Sequence, residues 1–212
     1  MNKNNGNGKR EWEHRLLGYT LAAREHKGTR ATLMRGAHDT TSGTAMPLVL
    51  GFTDARWQER PALRGAAVIA KHRHLPHATK VGDKGYWLSF PASLAEVAAA
   101  VDRENGDIYD PTKPDSFDRI IVQAPTWDLD EAAHKFDELL SRARLLDVPI
   151  NYADMLHWLS TWELGTLMER DRRAEKFMQD YYRHRVNRVT PKPPKTGDDK
   201  KSKADSPSGE GK

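Results

Sequence analysis

The chain has 212 residues, of which 37% are hydrophobic, so it is long enough to bury a core in one or two small domains. Its 34 basic and 30 acidic residues leave a formal net charge of +4, and a sequence pI of about 9.2 favours an anionic partner without requiring one. The chain contains no cysteine, which excludes disulfides, thiolate catalysis and Cys-based zinc sites.

The N-terminal sequence MNKNNGNGKR is polar and lacks the apolar region of a secretion signal. No apolar run approaches the roughly 20 residues that a membrane-spanning helix needs. We therefore expect a cytoplasmic protein without a membrane partner. Residues 1–9, which are rich in Asn, Gly and Lys, are expected to be disordered.

The first helical pattern begins at Arg10, where apolar residues recur at intervals of three and four. The residues on this face are Trp12, Leu16, Tyr19 and Ala23. Thr29 is placed to cap a second, short helix, and Gly36 is placed to end it. A third helix is predicted in the apolar run MPLVLGF, with its proline in the first turn.

A fourth helix is predicted over residues 58–71, which are rich in alanine. Its apolar spacing turns Leu63 towards the core and leaves Arg60 and Arg64 outward. A fifth helix begins with a capping-box pattern, in which Ser93 is the N-cap and a glutamate follows three residues later.

Between these two helices, residues 72–91 show no periodicity. They hold three histidines, two glycines and two prolines, so we predict a long basic loop within an N-terminal helical lobe, residues 10–104. His72, His74 and His77 are candidate metal ligands, but no carboxylate on a rigid element accompanies them. A solvated basic loop is the simpler interpretation.

Residues 105–116 are polar and are predicted to link the first lobe to a C-terminal helical lobe, residues 117–187. There Asp128 and Glu131 form a second capping-box pattern ahead of the clearest apolar stripe in the chain. This stripe consists of Leu129, Ala132, Ala133, Phe136, Leu139, Leu140, Ala143 and Leu146. Residues 188–212 hold almost no large apolar side chain and are expected to be a disordered charged tail.

Two further helices are predicted in the stretch VPINYADMLHWLSTWELGTLMERDRRAEKFMQDYYRHR. Asn151 is the predicted N-cap of the first, with Asp154 in its first turn. The second has an apolar stripe on one side and a cationic stripe on another. The apolar stripe contains Leu164, Leu167, Ala174, Met178 and Tyr181, and the cationic stripe contains Arg172, Lys176, Gln179 and Arg183. The predicted fold class is therefore all-α, with two small helical-bundle lobes and disordered termini.

The carboxylates form no catalytic constellation, because their places in the helices explain them. Asp128, Asp130 and Glu131 lie at a helix start, and Glu169 and Asp171 alternate with arginines at helical ion-pair spacing. A glycine-rich phosphate loop, a serine-hydrolase elbow and a zinc-protease motif are all absent from the sequence. We therefore predict no enzymatic activity, no cofactor and no resident metal.

Several helices carry arginine rather than lysine on faces that the apolar spacing leaves free. A solvated face is the ordinary interpretation of such charge, but Arg binds phosphate oxygens bidentately and suits backbone contacts without sequence readout. We therefore predict a nucleic-acid-binding surface, whereas Trp158, Trp162 and Phe177 fit a core better than a base-stacking surface. The candidate contacts are Arg30, Arg35, Arg60, Arg64, Arg142, Arg144, Arg172, Arg173 and Lys176.

Three segments, ATLMRGA, VPINYADMLHWLSTW and RDRRAEKFMQDYY, occur in a characteristic order and at characteristic distances from the chain ends. In these segments the chain resembles the CasB family, the small subunit of the type I-E CRISPR surveillance complex Cascade. It departs from the family where Asn151 replaces a frequent Asp and Phe177 replaces a common Trp. The His-rich loop and the charged tail have no counterpart in these motifs.

The resemblance implies an all-helical, non-catalytic subunit that occurs as a pair in Cascade, beside the backbone and large subunits. It implies contacts with the guide RNA/target DNA heteroduplex and with the displaced DNA strand, which stabilise the R-loop. Arg35 matches the arginine of the early motif, Arg172 and Arg173 match the basic pair of the last, and Arg60 lies near a further basic position.

The alternative is a free-standing helical DNA- or RNA-binding protein or transcription regulator. Such a protein needs a recognition helix that presents side chains to base edges, and the tight turn of a helix-turn-helix is not evident in the sequence.

Overall fold

The computed structural model describes residues 11–81, 85–143 and 146–189. Ten α-helices lie in these ranges: α1 Glu11–Ala23, α2 Lys27–Met34, α3 Asp39–Ser42, α4 Met46–Val49, α5 Arg56–Lys71, α6 Phe90–Asn105, α7 Ser116–Ile121, α8 Leu129–Ser141, α9 Tyr152–Thr161 and α10 Leu167–Val189. Three short 3-10 turns follow α2, α4 and α7, at Arg35–Ala37, Leu50–Phe52 and Ala124–Thr126. One hairpin pairs β1, Lys80–Val81, antiparallel with β2, Tyr86–Trp87.

The predicted all-α class is confirmed. In the described part of the chain, each helix is too short or too polar to cross a bilayer. The predicted disordered segment 1–9, the part of the predicted tail beyond Val189, and the candidate contact Arg144 lie outside the described residues.

Helix α5 is buried on almost every side, and the other helices pack around it. Every residue from Pro61 to Ala70 is buried, and α1, α2, α8 and α9 all contact this helix. Small side chains permit the close approach: a Cβ added at Gly65 would lie 2.3 Å from Leu156 Cδ2 on α9. An alanine-rich helix therefore suits the centre of the core, where interiors leave little free volume.

A second group of contacts joins α6, α8, α9 and α10 through aromatic rings. The ring centroid of Phe136 on α8 lies 4.7 Å from that of Phe90, 5.4 Å from Phe177 and 5.8 Å from Trp162. These rings are all buried. The core position predicted for Trp162 and Phe177 is thus what the structure shows.

The hydrophobic core runs through both predicted lobes. Helix α9 packs on α1 and α5, and α6 packs along α10. Residues 105–116 lie against α10, because the buried Arg185 guanidinium donates to Asp115 Oδ2 at 2.7 Å and also to Asp102. The same guanidinium stacks over the Tyr109 ring at 4.3 Å. The boundary between two lobes stays a prediction, and helices from both of its sides share the core.

Asp128 and Asn151 cap α8 and α9 as predicted, but the predicted starts of α2 and α6 are wrong. Helix α2 begins at Lys27, so Thr29 lies inside it rather than capping it. Helix α6 begins at Phe90 instead of after Ser93, because Ser89 is its N-cap and a proline occupies the first turn. Ser93 is a helical residue whose hydroxyl donates to the Ser89 carbonyl at 3.1 Å.

The predicted loop over residues 72–91 is more ordered at its ends than its composition suggested. Leu75 and Leu88 are fully buried, and the His77 backbone forms a parallel bridge with Ile150. His72 Nε2 lies 2.8 Å from Asp137 Oδ1. In the described ranges, which omit the hairpin tip, no three potential metal-binding side chains cluster closely enough to share an ion.

Arg64 is the largest departure from the sequence prediction. Its side chain is only 1% exposed instead of facing outward. The guanidinium donates from Nε to Asp130 Oδ1 at 2.8 Å, from Nη1 to the Gly36 carbonyl at 2.6 Å, and from Nη2 to Asp39. Arg60 also donates to Asp130, at 2.6 Å. The spacing of apolar residues predicted that Arg64 would lie on a free face of α5. In the structure, α8 and the turn after α2 cover that face.

The Asp130 carboxylate should stabilise the fold in a pH-dependent way. Burial alone would raise the pKa of Asp130, but hydrogen bonds from Arg64 and Arg60 outweigh burial and lower it. A carboxylate with a lowered pKa stabilises the folded state above the unfolded pKa, about 4. This stabilisation is lost as the pH falls through the folded pKa.

We expect Asp130→Asn to lower the free energy of unfolding by about 1–3 kcal/mol at pH 7, because it weakens a charge-assisted hydrogen bond to a buried guanidinium. In urea titrations the difference from wild type should shrink below pH ~4. Asp54→Asn is the matched control, since the Asp54–Arg15 pair is largely solvent-exposed. This control should lower the free energy of unfolding by less than ~0.5 kcal/mol. Equal losses in the two variants would contradict this role of Asp130.

Candidate nucleic-acid interface

Helices α9 and α10 and the β-hairpin surround a cleft of about 650 Å³. We call it the cationic cleft. Its basic and aromatic wall residues include Trp87, His157, Arg173, Lys176, Arg183 and His184. Two of the predicted contacts, Arg173 and Lys176, are therefore brought together on one surface.

Helix α10 begins at a capping box that was not among the predicted helix starts. The Thr166 backbone N–H donates to the Glu169 carboxylate at 2.7 Å, and the Glu169 N–H donates to Thr166 Oγ1 at 3.3 Å. The carboxylate accepts from both the Thr166 backbone N–H and the Thr166 hydroxyl, and these two hydrogen bonds lower the pKa of Glu169. Glu169 thus caps the helix rather than serving only in ion pairs, and the pattern T-x-x-E was its sequence signal.

The buried stripe of α10 starts later than predicted. Leu167 is 74% exposed and Leu164 precedes the helix, because the first turn of α10 lies outside the core. Burial begins at Ala174 and continues through Phe177 and Tyr181. Since these three residues are the ones that face the core, the charged residues between them face the cleft or solvent.

Lys176 and Arg183 present the most available charges in the cleft, with side chains 64% and 69% exposed. Both pair with one carboxylate: Asp180 lies 2.9 Å from Lys176 Nζ and 3.3 Å from Arg183 Nη1. Such pairs within a helix contribute only about 0.2–0.5 kcal/mol each. An incoming phosphate oxygen can therefore replace Asp180 as the partner of either cation at small cost.

Arg173 is held more firmly than its neighbours. Its guanidinium donates to the Leu164 carbonyl in the turn before α10, and its Nε is buried without a hydrogen-bond partner in the described part of the chain. Burial lowers the pKa of Arg173, although a guanidinium remains protonated at neutral pH. Arg173 thus supports the α9–α10 turn while adding positive charge to the cleft. Arg172 is exposed.

Two histidines lie on the cleft wall beside carboxylates from other helices. His157 Nδ1 is 3.4 Å from Glu13 Oε1, and His184 Nε2 is 2.6 Å from Glu96 Oε1. The carboxylate of Asp154 is also at the wall, but it accepts hydrogen bonds from the Phe90 backbone at 2.8 Å and from an indole at 3.1 Å. Asp154 is therefore occupied in holding α6 and α9.

The other predicted contacts lie elsewhere. Arg30 is half-buried and donates to the Arg24 carbonyl at 3.2 Å, where it satisfies the end of α1. Arg35 is exposed in the turn after α2. Arg60 and Arg64 belong to the Asp130 network. Arg142 has a similar structural role. Its guanidinium donates to Glu138 at 3.0 Å and to a serine of α7, and it lies 5.0 Å from the centroid of an aromatic ring.

Arg183, His157, His184 and Trp87 also line the cleft but were not among the predicted contacts. Arg183 lay on the predicted cationic stripe, and that membership was the signal that would have found it. His157, His184 and Trp87 come from separate segments, and helical spacing carries no information on which segments meet.

We expect Arg173→Ala and Arg172→Ala to affect stability differently. Arg173→Ala removes the hydrogen bond to the Leu164 carbonyl and should lower the free energy of unfolding by about 1 kcal/mol. Arg172→Ala alters an exposed side chain and should change it by less than ~0.5 kcal/mol. Denaturant titrations of both variants measure this difference. Indistinguishable midpoints would show that Arg173 does not support the turn.

The family model described as CRISPR-associated protein Cse2 matches residues 29–182 of the chain. None of the curated proteins matches it in sequence.

Solved structures with the same fold agree with the family match. A chain of a structure described as a CRISPR RNA-guided surveillance complex has a TM-score of 0.60 and 19% identity, covering 85% of this chain and 96% of its own. A chain of such a complex described as pre-nicking has a TM-score of 0.62 and 18% identity, with coverages of 85% and 97%. CasB from M. ruber has a TM-score of 0.58 and 18% identity, with coverages of 84% and 96%.

At these identities the similar structures support the fold, whereas the family match extends over most of the chain. The predicted membership of the CasB family is confirmed, and the chain belongs to the Cse2 (CasB) family of CRISPR-associated proteins.

Proposed function

We propose that this chain acts as the small subunit of a Cascade surveillance complex and that its cationic cleft binds the sugar–phosphate backbone during R-loop formation. Membership of the Cse2 family supports the first part, together with the similar chains in structures described as CRISPR RNA-guided surveillance complexes. The proposed partners are the backbone and large subunits, a second copy of this chain, the guide RNA/target DNA heteroduplex and the displaced DNA strand. The proposed role is binding, without catalysis.

The observation that carries the nucleic-acid part is the pair of exposed cations that share one weakly held carboxylate. Lys176 and Arg183 are seven residues apart, about 10.5 Å along α10. Their charged ends nevertheless converge, because both contact the Asp180 carboxylate, at 2.9 and 3.3 Å. The two side chains are therefore placed to bind the same phosphate without reading the sequence.

Not every predicted contact enters this proposal. Arg35, Arg172 and Arg173 remain proposed contacts, together with Lys176 and Arg183. The partly exposed Arg30, Arg60 and Arg142 already bind protein groups and would add only long-range attraction. Arg64 is omitted because its guanidinium is buried and fully engaged.

Weak contacts are sufficient for the proposed role. The heteroduplex that forms in an R-loop is about as stable as the DNA duplex that it replaces, so the exchange is nearly balanced. A few backbone contacts of about 1 kcal/mol each can then decide whether the R-loop persists.

The double variant Lys176→Ala/Arg183→Ala tests the proposal in the reconstituted complex. We expect faster R-loop dissociation with unchanged guide loading, and a similar loss on unrelated target sequences. The slope of log affinity against log salt should flatten by about 0.7–0.9 per lost phosphate contact.

Lys113→Ala/Arg119→Ala is the matched control, because it also removes one exposed lysine and one exposed arginine, outside the cleft. An equal effect of the two double variants would sink the assignment to the cleft. A loss confined to one sequence would favour a base-reading regulator.

Asp180→Asn should strengthen binding, because it removes the carboxylate that both Lys176 and Arg183 contact while keeping the side-chain shape. We expect affinity for nucleic acid to rise by up to about fivefold at low salt, since charges about 4 Å apart in water interact with about 1 kcal/mol. The gain should fade at high salt. Asp54→Asn removes the same charge outside the cleft and should have less effect. Unchanged or weaker binding by Asp180→Asn would contradict a phosphate site.

A further inference from the structure

Trp87 is an exposed aromatic side chain on a wall of the cationic cleft. It lies on β2 and is 58% exposed, although Leu88, the next residue, is fully buried and anchors the strand. Among the described residues, no aromatic ring pair includes Trp87, whereas Trp127, Trp158 and Trp162 are buried and pack against other rings. Its indole therefore has a free face.

The free indole faces the same cleft as the phosphate-binding candidates. Lys176 and Arg183 extend into this cleft from α10, whereas Trp87 reaches it from the hairpin. The cleft volume of about 650 Å³ is within the ~300–1,000 Å³ typical of small-ligand sites. An aromatic face beside cations matches the two parts of a nucleotide, which are a flat base and an anionic phosphate.

We propose that the cationic cleft holds one unpaired nucleotide, with its base stacked on Trp87 and its phosphate bound by Lys176 and Arg183. This inference rests on the proposed nucleic-acid role of the cleft and narrows its ligand to a single strand. A base can stack on a side chain only when it has left the stack of a duplex. Every base has a π face, so the site tolerates any sequence.

The test uses the full chain and single-stranded thymidine oligonucleotides of about 12 nucleotides. A second probe is an abasic strand with the same number of phosphates, and a third is a duplex. Trp87→Ala should weaken binding of the thymidine strand roughly fivefold or more, and Trp87→Phe should restore most of it. Trp57→Ala removes an indole that is 49% exposed on α5, outside the cleft, and should change little.

The abasic strand isolates the stacking interaction. Wild type should bind it as weakly as Trp87→Ala binds the thymidine strand, and Trp87→Ala should not distinguish the two strands. The salt dependence of Trp87→Ala should equal that of wild type, because no phosphate contact is lost. Circular dichroism shows whether each variant is folded, and the comparison of thymidine and abasic strands on wild type keeps the test decisive if Trp87→Ala unfolds.

The possible failures are distinguishable. If Lys176→Ala/Arg183→Ala weakens binding but Trp87→Ala and the abasic strand do not, the cleft binds phosphates and the stacking site is wrong. If neither variant weakens binding, the proposed function fails as well. Preference for the duplex over the single strand would overturn the inference, and so would equal binding of the abasic and thymidine strands.

Discussion

The burial of one side of α10 is the constraint on which the candidate interface depends. Ala174, Phe177 and Tyr181 recur at intervals of three and four residues and are all buried against neighbouring helices. Phe177 in particular contacts rings from α6, α8 and the end of α9. Because successive residues of a helix are about 100° apart, fixing this stripe also fixes the direction of Lys176 and Arg183. The cations reach the cleft as a consequence of core packing.

Arginine has two different tasks in this molecule, and burial separates them. Arg64 and Arg185 are each 1% exposed and each bind two carboxylates from distant parts of the chain. Neutralising one of these carboxylates costs about 1–3 kcal/mol, because the buried guanidinium then loses a charge-assisted hydrogen bond, so these arginines are committed to the fold. Arg183 is itself exposed, and it can exchange the half-buried Asp180 carboxylate that it shares with Lys176 for a phosphate. A count of basic residues therefore overstates the surface that is available to a polyanion.

Local chemistry made much of the fold predictable. Asn151 caps α9 and Asp128 caps α8, each through a side-chain oxygen that accepts from the backbone three residues on. Such caps and the apolar stripes of α5, α8 and α10 involve residues within two turns of each other, so the sequence shows them directly. The same local periodicity placed Arg173 and Lys176, two of the predicted contacts, on a side of α10 away from its apolar stripe, and this side lines the cleft.

The features that the sequence did not predict depend on contacts between segments that are far apart in the chain. Arg64 lies on a face of α5 that would be free in an isolated helix, and its acidic partners are 25 and 66 residues away. Trp87 reaches the cleft through a two-residue strand whose place is set by Leu88 and by a backbone bridge between His77 and Ile150. Periodicity describes the faces of one element, and it cannot say which faces meet.

The weakness of the cleft's own ion pairs suits the reaction in which we propose it acts. An R-loop exchanges one duplex for another of similar stability, and it must form on a correct target and collapse on a wrong one. Contacts to the sugar–phosphate backbone stabilise R-loops on correct and on wrong targets equally, because these contacts do not read sequence. Asp180 contacts both Lys176 and Arg183, so in the proposed role it competes with phosphate for both of them. A cleft without this carboxylate would bind more tightly but would also prolong mismatched R-loops, so a moderate affinity preserves the discrimination that base pairing provides.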